Sequence, residues 1–117
     1  MQTHDHKRLL SHLVERSRPI DDVLADLSEF DFDSDPLVAL TSQHLLDLLT
    51  DYLSGNIDKA HVERWADAVE VRDDLYYEPK DEKVIKDIVF DLANPLLSGP
   101  LTPEVAMRMI SALNARP

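Results

Sequence analysis

Apolar residues recur at helical spacing along most of this chain, and polar residues fill the positions between them. Leu9, Leu10, Leu13 and Val14 lie three or four apart and predict a first helix that starts at Thr3 or Asp5. A second helix follows Pro19, with Ile20, Val23, Leu24 and Leu27 on one face and Asp21, Asp22 and Asp26 on the other. It ends near Phe30, because FDFDSDP has no helical period and closes in proline.

The third helix carries start and stop signals at both ends. Thr41 caps it, and Leu40 before the cap pairs with Leu45 as a hydrophobic staple. Leu45, Leu46, Leu49, Tyr52 and Leu53 supply its apolar stripe, and Gly55 ends it as a residue free to take positive φ. The fourth helix repeats the device with Asp58 as cap and Ile57 stapled to Val62. Val62, Trp65, Ala66 and Val69 point one way, while Glu63, Asp67 and Glu70 line up at i, i+4 and i+7 on another face. VIKDIVFDLA, from Val84, predicts a fifth helix, apolar around much of its girth and therefore central, which Pro95 stops. Thr102, Pro103 and Glu104 open a last helix whose apolar face is Val105, Met109, Ile110 and Leu113. Strand character is confined to VRDDLYYEP and PLVAL. The pattern predicts an all-α, single-domain bundle of five to six helices over residues 1–117.

Composition narrows this picture. A chain of 117 residues suits one domain with one core, and two glycines against 44% apolar residues argue against disorder and against a turn-rich β fold. Cysteine is absent, the first twenty residues lack an apolar signal region, and no run approaches a membrane span, so the expectation is a cytoplasmic protein. Net charge is −11, unevenly spread: residues 1–20 hold four bases against two acids, which leaves −13 for the rest. Such a field repels nucleic acid and anionic membranes and speeds encounter with a basic partner. Solubility alone also accounts for an acidic balance.

Familiar site chemistries are eliminated in turn. Asp31, Asp33 and Asp35 begin like a calcium loop, but Pro36 stands where glycine is needed and Ser42 where a bidentate glutamate is needed. His4, His6 and His12 crowd the first helix without an HExxH pattern, and these, like His44 and His61, read as polar surface residues. No serine sits in a nucleophile elbow, and two glycines cannot build a phosphate cradle. The reading is a binding protein, not an enzyme, with no metal and no cofactor.

What stands out is DDLYYEPKDE at 73–82, where Tyr76 and Tyr77 lie among Asp73, Asp74, Glu78, Asp81 and Glu82, next to the stripe of Glu63, Asp67 and Glu70. Exposed tyrosines anchor protein interfaces at small entropic cost, and acids around them steer a basic partner. The plain alternative packs one tyrosine under the fifth helix and leaves the other on the surface. Asp74, Leu75, Tyr76, Tyr77 and Pro79, followed by acids and a helix, resemble the DLIYYP segment of the nuclease-colicin and pyocin immunity proteins, without the isoleucine that family has before its tyrosines. The phrase from Leu53 to Ile57 is similar to one in the colicin D-type immunity proteins, also acidic and helical.

The resemblance implies a small helical inhibitor of a basic cytotoxic nuclease domain. It gives Tyr76 and Tyr77 the binding core, and Asp67 and Glu70 of the preceding helix the specificity. The expected partner-binding set is Glu63, Asp67, Glu70, Asp73, Asp74, Tyr76, Tyr77 and Glu78, with a basic protein toxin as partner and neither nucleic acid nor membrane. A second class of reading is a structural or adaptor domain that self-associates through Val105, Met109 and Leu113. The toxin's identity, its DNase or RNase character and the oligomeric state are left open.

Overall fold

The structure, a computed structural model, describes residues 2–30 and 36–115. Asp31, Asp33 and Asp35 lie outside the described residues, and so does the side chain of His4. Seven α-helices follow in order: α1 (Gln2–Glu15), α2 (Ile20–Leu27), α3 (Ser42–Leu53), α4 (Lys59–Glu70), α5 (Glu82–Ala93), α6 (Pro95–Ser98) and α7 (Pro103–Asn114). Two strands, β1 (Val38–Leu40) and β2 (Leu75–Tyr77), and a 3-10 turn at Pro79–Asp81 complete the described elements. The fold is mainly α, but the all-α expectation needs correcting on two counts. Pro95 does not merely stop α5, because it opens the one-turn α6. The two segments with strand character also find each other, pairing in parallel with Val38 opposite Leu75 and Leu40 opposite Tyr77.

A parallel pair needs a long crossover, and α3 with α4 provides it. The pairing extends beyond the strands: Leu37 N–H donates to the Asp74 carbonyl at 2.8 Å and Glu78 N–H to the Leu40 carbonyl at 2.9 Å. Both ends of the 74–78 segment are thereby fixed to the 37–40 segment.

Local signals explain where the helices begin and end. Thr41 Oγ1 accepts from His44 N–H, and His44 Nδ1 accepts from Thr41 N–H at 3.0 Å, so a histidine takes the place glutamate usually has in a capping box. Asp58 Oδ1 caps α4 through His61 N–H at 2.9 Å, and Thr102 Oγ1 caps α7 through Val105 N–H at 3.2 Å. Gly55, with φ 83°, closes α3 in a Schellman turn in which Asn56 N–H reaches back to the Asp51 carbonyl at 3.0 Å. α1 ends in the same turn, Ser17 N–H reaching the His12 carbonyl at 3.2 Å, but its left-handed residue is Arg16, with φ 54°.

α4 packs on α5, α3 on α7 and α1 on α2, and their apolar stripes meet in one core. Trp65 lies at its centre, and its indole N–H donates to the Leu13 carbonyl at 2.8 Å, so that the ring is buried with no polar atom unpaired. On α3 the buried set is Leu45, Leu48 and Leu49, whereas Leu53 is exposed, because the stripe turns toward α7. α5 packs on α4, α6, α7 and β2 and buries Ile85, Ile88, Val89 and Leu92, but it presents Phe90 to solvent, so its apolar girth is not covered all round.

Candidate functional site

The residues expected to bind a partner divide into three groups once their surroundings are known. Glu63, Asp67 and Glu70 run up one side of α4, Asp67 exposed and the other two half-buried. None of the three is ion-paired among the described residues, and Glu70 accepts only from Asn94 Nδ2 at 3.2 Å. Arg64, beside them, is tied to Asp21 of α2. Glu63 also joins Asp87 and Asp91 of α5 on the rim of a groove of about 370 Å³, floored by Ile88, Leu92 and Met109. Asp87 is paired with Lys83 at 2.9 Å and Arg108 also lines the groove, so it is the α4 row, Glu63, Asp67 and Glu70, that keeps the local negative potential a basic surface would meet.

The second group is β2 and its approach. Successive strand residues point to opposite faces, so the two tyrosines separate. Tyr76 stands outward at 44% exposure, while Tyr77 is half-buried and packs against the core. Burial, and secondarily the Glu70 carboxylate, pushes the Tyr77 hydroxyl above its ordinary pKa of 10.0. Asp73 is exposed. Glu78 is half-buried, and its Oε1 accepts from Ser42 N–H at 3.3 Å, where a carboxylate also complements the α3 N-terminal dipole.

Asp74 forms the third group alone, and it corrects the expectation that all the acids of this loop face outward. It has no exposed surface. Arg72 Nε and Nη2 grip its two oxygens at 2.9 Å each, and His6 Nε2 meets Oδ2 at 2.7 Å. His6 in turn stacks on Phe30 with ring centroids 4.5 Å apart and planes 16° from parallel. Asp74 therefore ties α1 to the entrance of β2 and offers nothing to a partner.

His6 is likewise no surface residue, at 5% exposure. A signal was present in the sequence: His6 precedes Leu9 and Leu10 by three and four residues and so continues the buried stripe of α1. His44 is half-buried too, and burial lowers its pKa against the opposing pull of Glu15, Asp47 and Glu78. Arg72 gave no such signal, lying between Val69 and Leu75 outside any period.

Among the described residues no three His, Cys, Asp or Glu side chains gather as a metal site, and no helix is long and apolar enough to cross a membrane. No protein-family model matches the chain, and neither curated proteins nor solved structures provide a match.

Proposed function

We propose that this chain is an immunity-type inhibitor that binds and neutralises a basic cytotoxic nuclease domain through its acidic, tyrosine-containing face. The observation that carries this reading is the unpaired carboxylate stripe of α4, Glu63, Asp67 and Glu70, followed in the chain by exposed Asp73 and outward-facing Tyr76. The acids steer and Tyr76 anchors. Asp74 and Glu78 support the loop from inside, and Tyr77 holds β2 to the core. Blocking need not involve the toxin's catalytic residues, because negative surface laid across a nucleic-acid channel repels the substrate's phosphates. Cytoplasmic residence fits such an inhibitor, which has to meet the toxin where its substrate lies.

The test is capture of partners from a lysate of the source organism on wild-type protein and on Tyr76→Ala and Glu63→Lys/Asp67→Lys variants, followed by nuclease assays on the captured material. The expected result is a basic nuclease, silenced by wild-type protein, with affinity reduced by about 2 kcal/mol or more for Tyr76→Ala. A captured nuclease that stays fully active, or one held equally by all three proteins, overturns the proposal.

A second reading, a helical adaptor that self-associates, rests on Leu96 and Leu97 of α6, which are 99% and 76% exposed. The face first considered for it is largely occupied, since Leu113 is buried and Val105 and Met109 are half-buried. Salt separates the two readings: charge-led capture of a basic partner weakens as ionic strength rises, whereas apolar pairing of two copies, each at −11, does not.

A further inference from the structure

We propose a second site, independent of the acidic face: a pocket for a small organic anion with an apolar body, where the end of α1 and the start of α2 meet α4. The cavity is about 320 Å³, within the range that holds small ligands. Its apolar wall is Leu13, Ile20, Val23, Ile57 and Trp65. Its polar wall is His12, Arg16, Ser17, Arg18 and His61, with no aspartate or glutamate. In a chain with 23 acids and 12 Lys or Arg, that composition runs against the average, and the groove between α5 and α7, with three carboxylates to one arginine, Arg108, is the contrast.

Arg16 is the central residue. It occupies the left-handed position of a Schellman turn, where glycine avoids the Cβ clash and arginine does not. Its side chain is only 14% exposed, and Nη2 donates to Asp51 Oδ2 at 2.6 Å. That is its one side-chain hydrogen bond among the described residues, which leaves Nε and Nη1 as donors for a ligand. Arg18 is paired as well, through Nη2 to Asp26 Oδ2 at 3.0 Å, in a more exposed position. Neither Asp51 nor Asp26 lines the cavity, so each carboxylate meets its guanidinium from outside while the wall itself carries no carboxylate.

A clamp between α1 and α3 accounts for the Arg16 pair, but not for the gathering of Arg18, His12 and His61 around a cavity that no side chain fills. A carboxylate or sulfonate matches the oriented guanidinium forks, and a ring or short branched chain matches the floor over Trp65. Because the arginines are already restrained, a ligand has little side-chain entropy left to remove.

Trp65 is the one tryptophan, so its indole N–H signal in a ¹⁵N-labelled full chain is identified without assignment. Benzoate, benzyl alcohol and benzamidine share a ring and differ in charge, and each is titrated against that signal at low salt. Benzoate is expected to shift it saturably, benzyl alcohol about tenfold more weakly, and benzamidine not at all. Arg16→Gly removes the guanidinium while placing glycine where the turn favours it, so this variant is expected to keep a dispersed spectrum and lose benzoate binding. Should it fail to fold, Arg18→Gln, which breaks a partly exposed pair, is expected to weaken binding in a folded protein. No saturable shift with benzoate, an equal response to all three probes, or undiminished binding by a folded Arg16→Gly or Arg18→Gln variant overturns the site.

Discussion

Asp74 and Asp67 are the same side chain seven residues apart, and they meet opposite fates. Asp74, under β2, is completely enclosed, and three nitrogen atoms from Arg72 and His6 contact its two oxygens. Asp67, on α4, stands in solvent between two further acids with no ion-pair partner among the described residues. Interior charge is committed to structure, because an ion taken out of water must be partnered completely. Exterior charge in a like-signed row contributes little to folding and retains its potential for a partner. In this molecule the row of carboxylates on α4, and not the richer cluster of letters around Asp74, carries the functional reading.

The largest effect belongs to the interior. Asp74→Ala leaves the Arg72 guanidinium buried beside an empty place, and about 3–5 kcal/mol of unfolding free energy should be lost in urea denaturation. Replacing the whole cluster, as His6→Phe with Arg72→Met and Asp74→Leu, should recover part of that loss, since no buried polar partner is then stranded. A cost below about 1 kcal/mol for Asp74→Ala would put this residue with the surface acids and erase the contrast.

Next comes the scaffold that presents the row. Asp58→Ala removes the cap of α4 and should cost about 1 kcal/mol by thermal or urea unfolding. Partner affinity should fall only as far as the first turn of α4 frays. A loss of binding much larger than the loss of stability would mean that Asp58 itself touches the partner.

Acidification acts on a third group, the partly buried His44. Its folded pKa lies below the ordinary 6.5, so the unfolded chain takes up the proton first as pH falls. The stabilisation is complete above about 6.5 and drains away as pH drops toward the lowered folded value. His44→Gln keeps a capping-box acceptor that does not titrate, and it should flatten stability against pH in that window. Asp51, whose carboxyl is lowered by its hydrogen bond to Arg16, adds a second loss only below about 3.8. A difference between wild type and His44→Gln that does not change with pH through the histidine range would contradict the His44 geometry.

The smallest stability effect sharpens the comparison from the other side. Asp67→Asn should change unfolding free energy by no more than about 0.5 kcal/mol, because nothing in the fold depends on that charge. Its consequence should appear as slower association with a basic partner at low salt. A cost near that of Asp74→Ala would show that the row is structural.

The periodic features of the chain were legible in advance because they are local. Thr41, Asp58 and Thr102 cap helices, and Leu40, Leu45, Ile57 and Val62 flank those caps, through contacts spanning at most five residues. Glu63, Asp67 and Glu70 share a side of α4 because 3.6 residues make a turn. The sequence by itself thus determined the six longer helices, their apolar stripes and the acidic row. Only the tertiary structure decided that PLVAL and LYY would pair across the α3–α4 crossover, and that Tyr76 would stand out while Tyr77 packed inward. Asp73 and Asp74 are identical letters side by side, and what separates them is a pocket closed by Arg72 together with His6, 68 residues away in sequence from Asp74. The physical reason is that caps and stripes are set by bonds and rotations within a few residues. Burial of a charge is set by which distant partner arrives to replace its water.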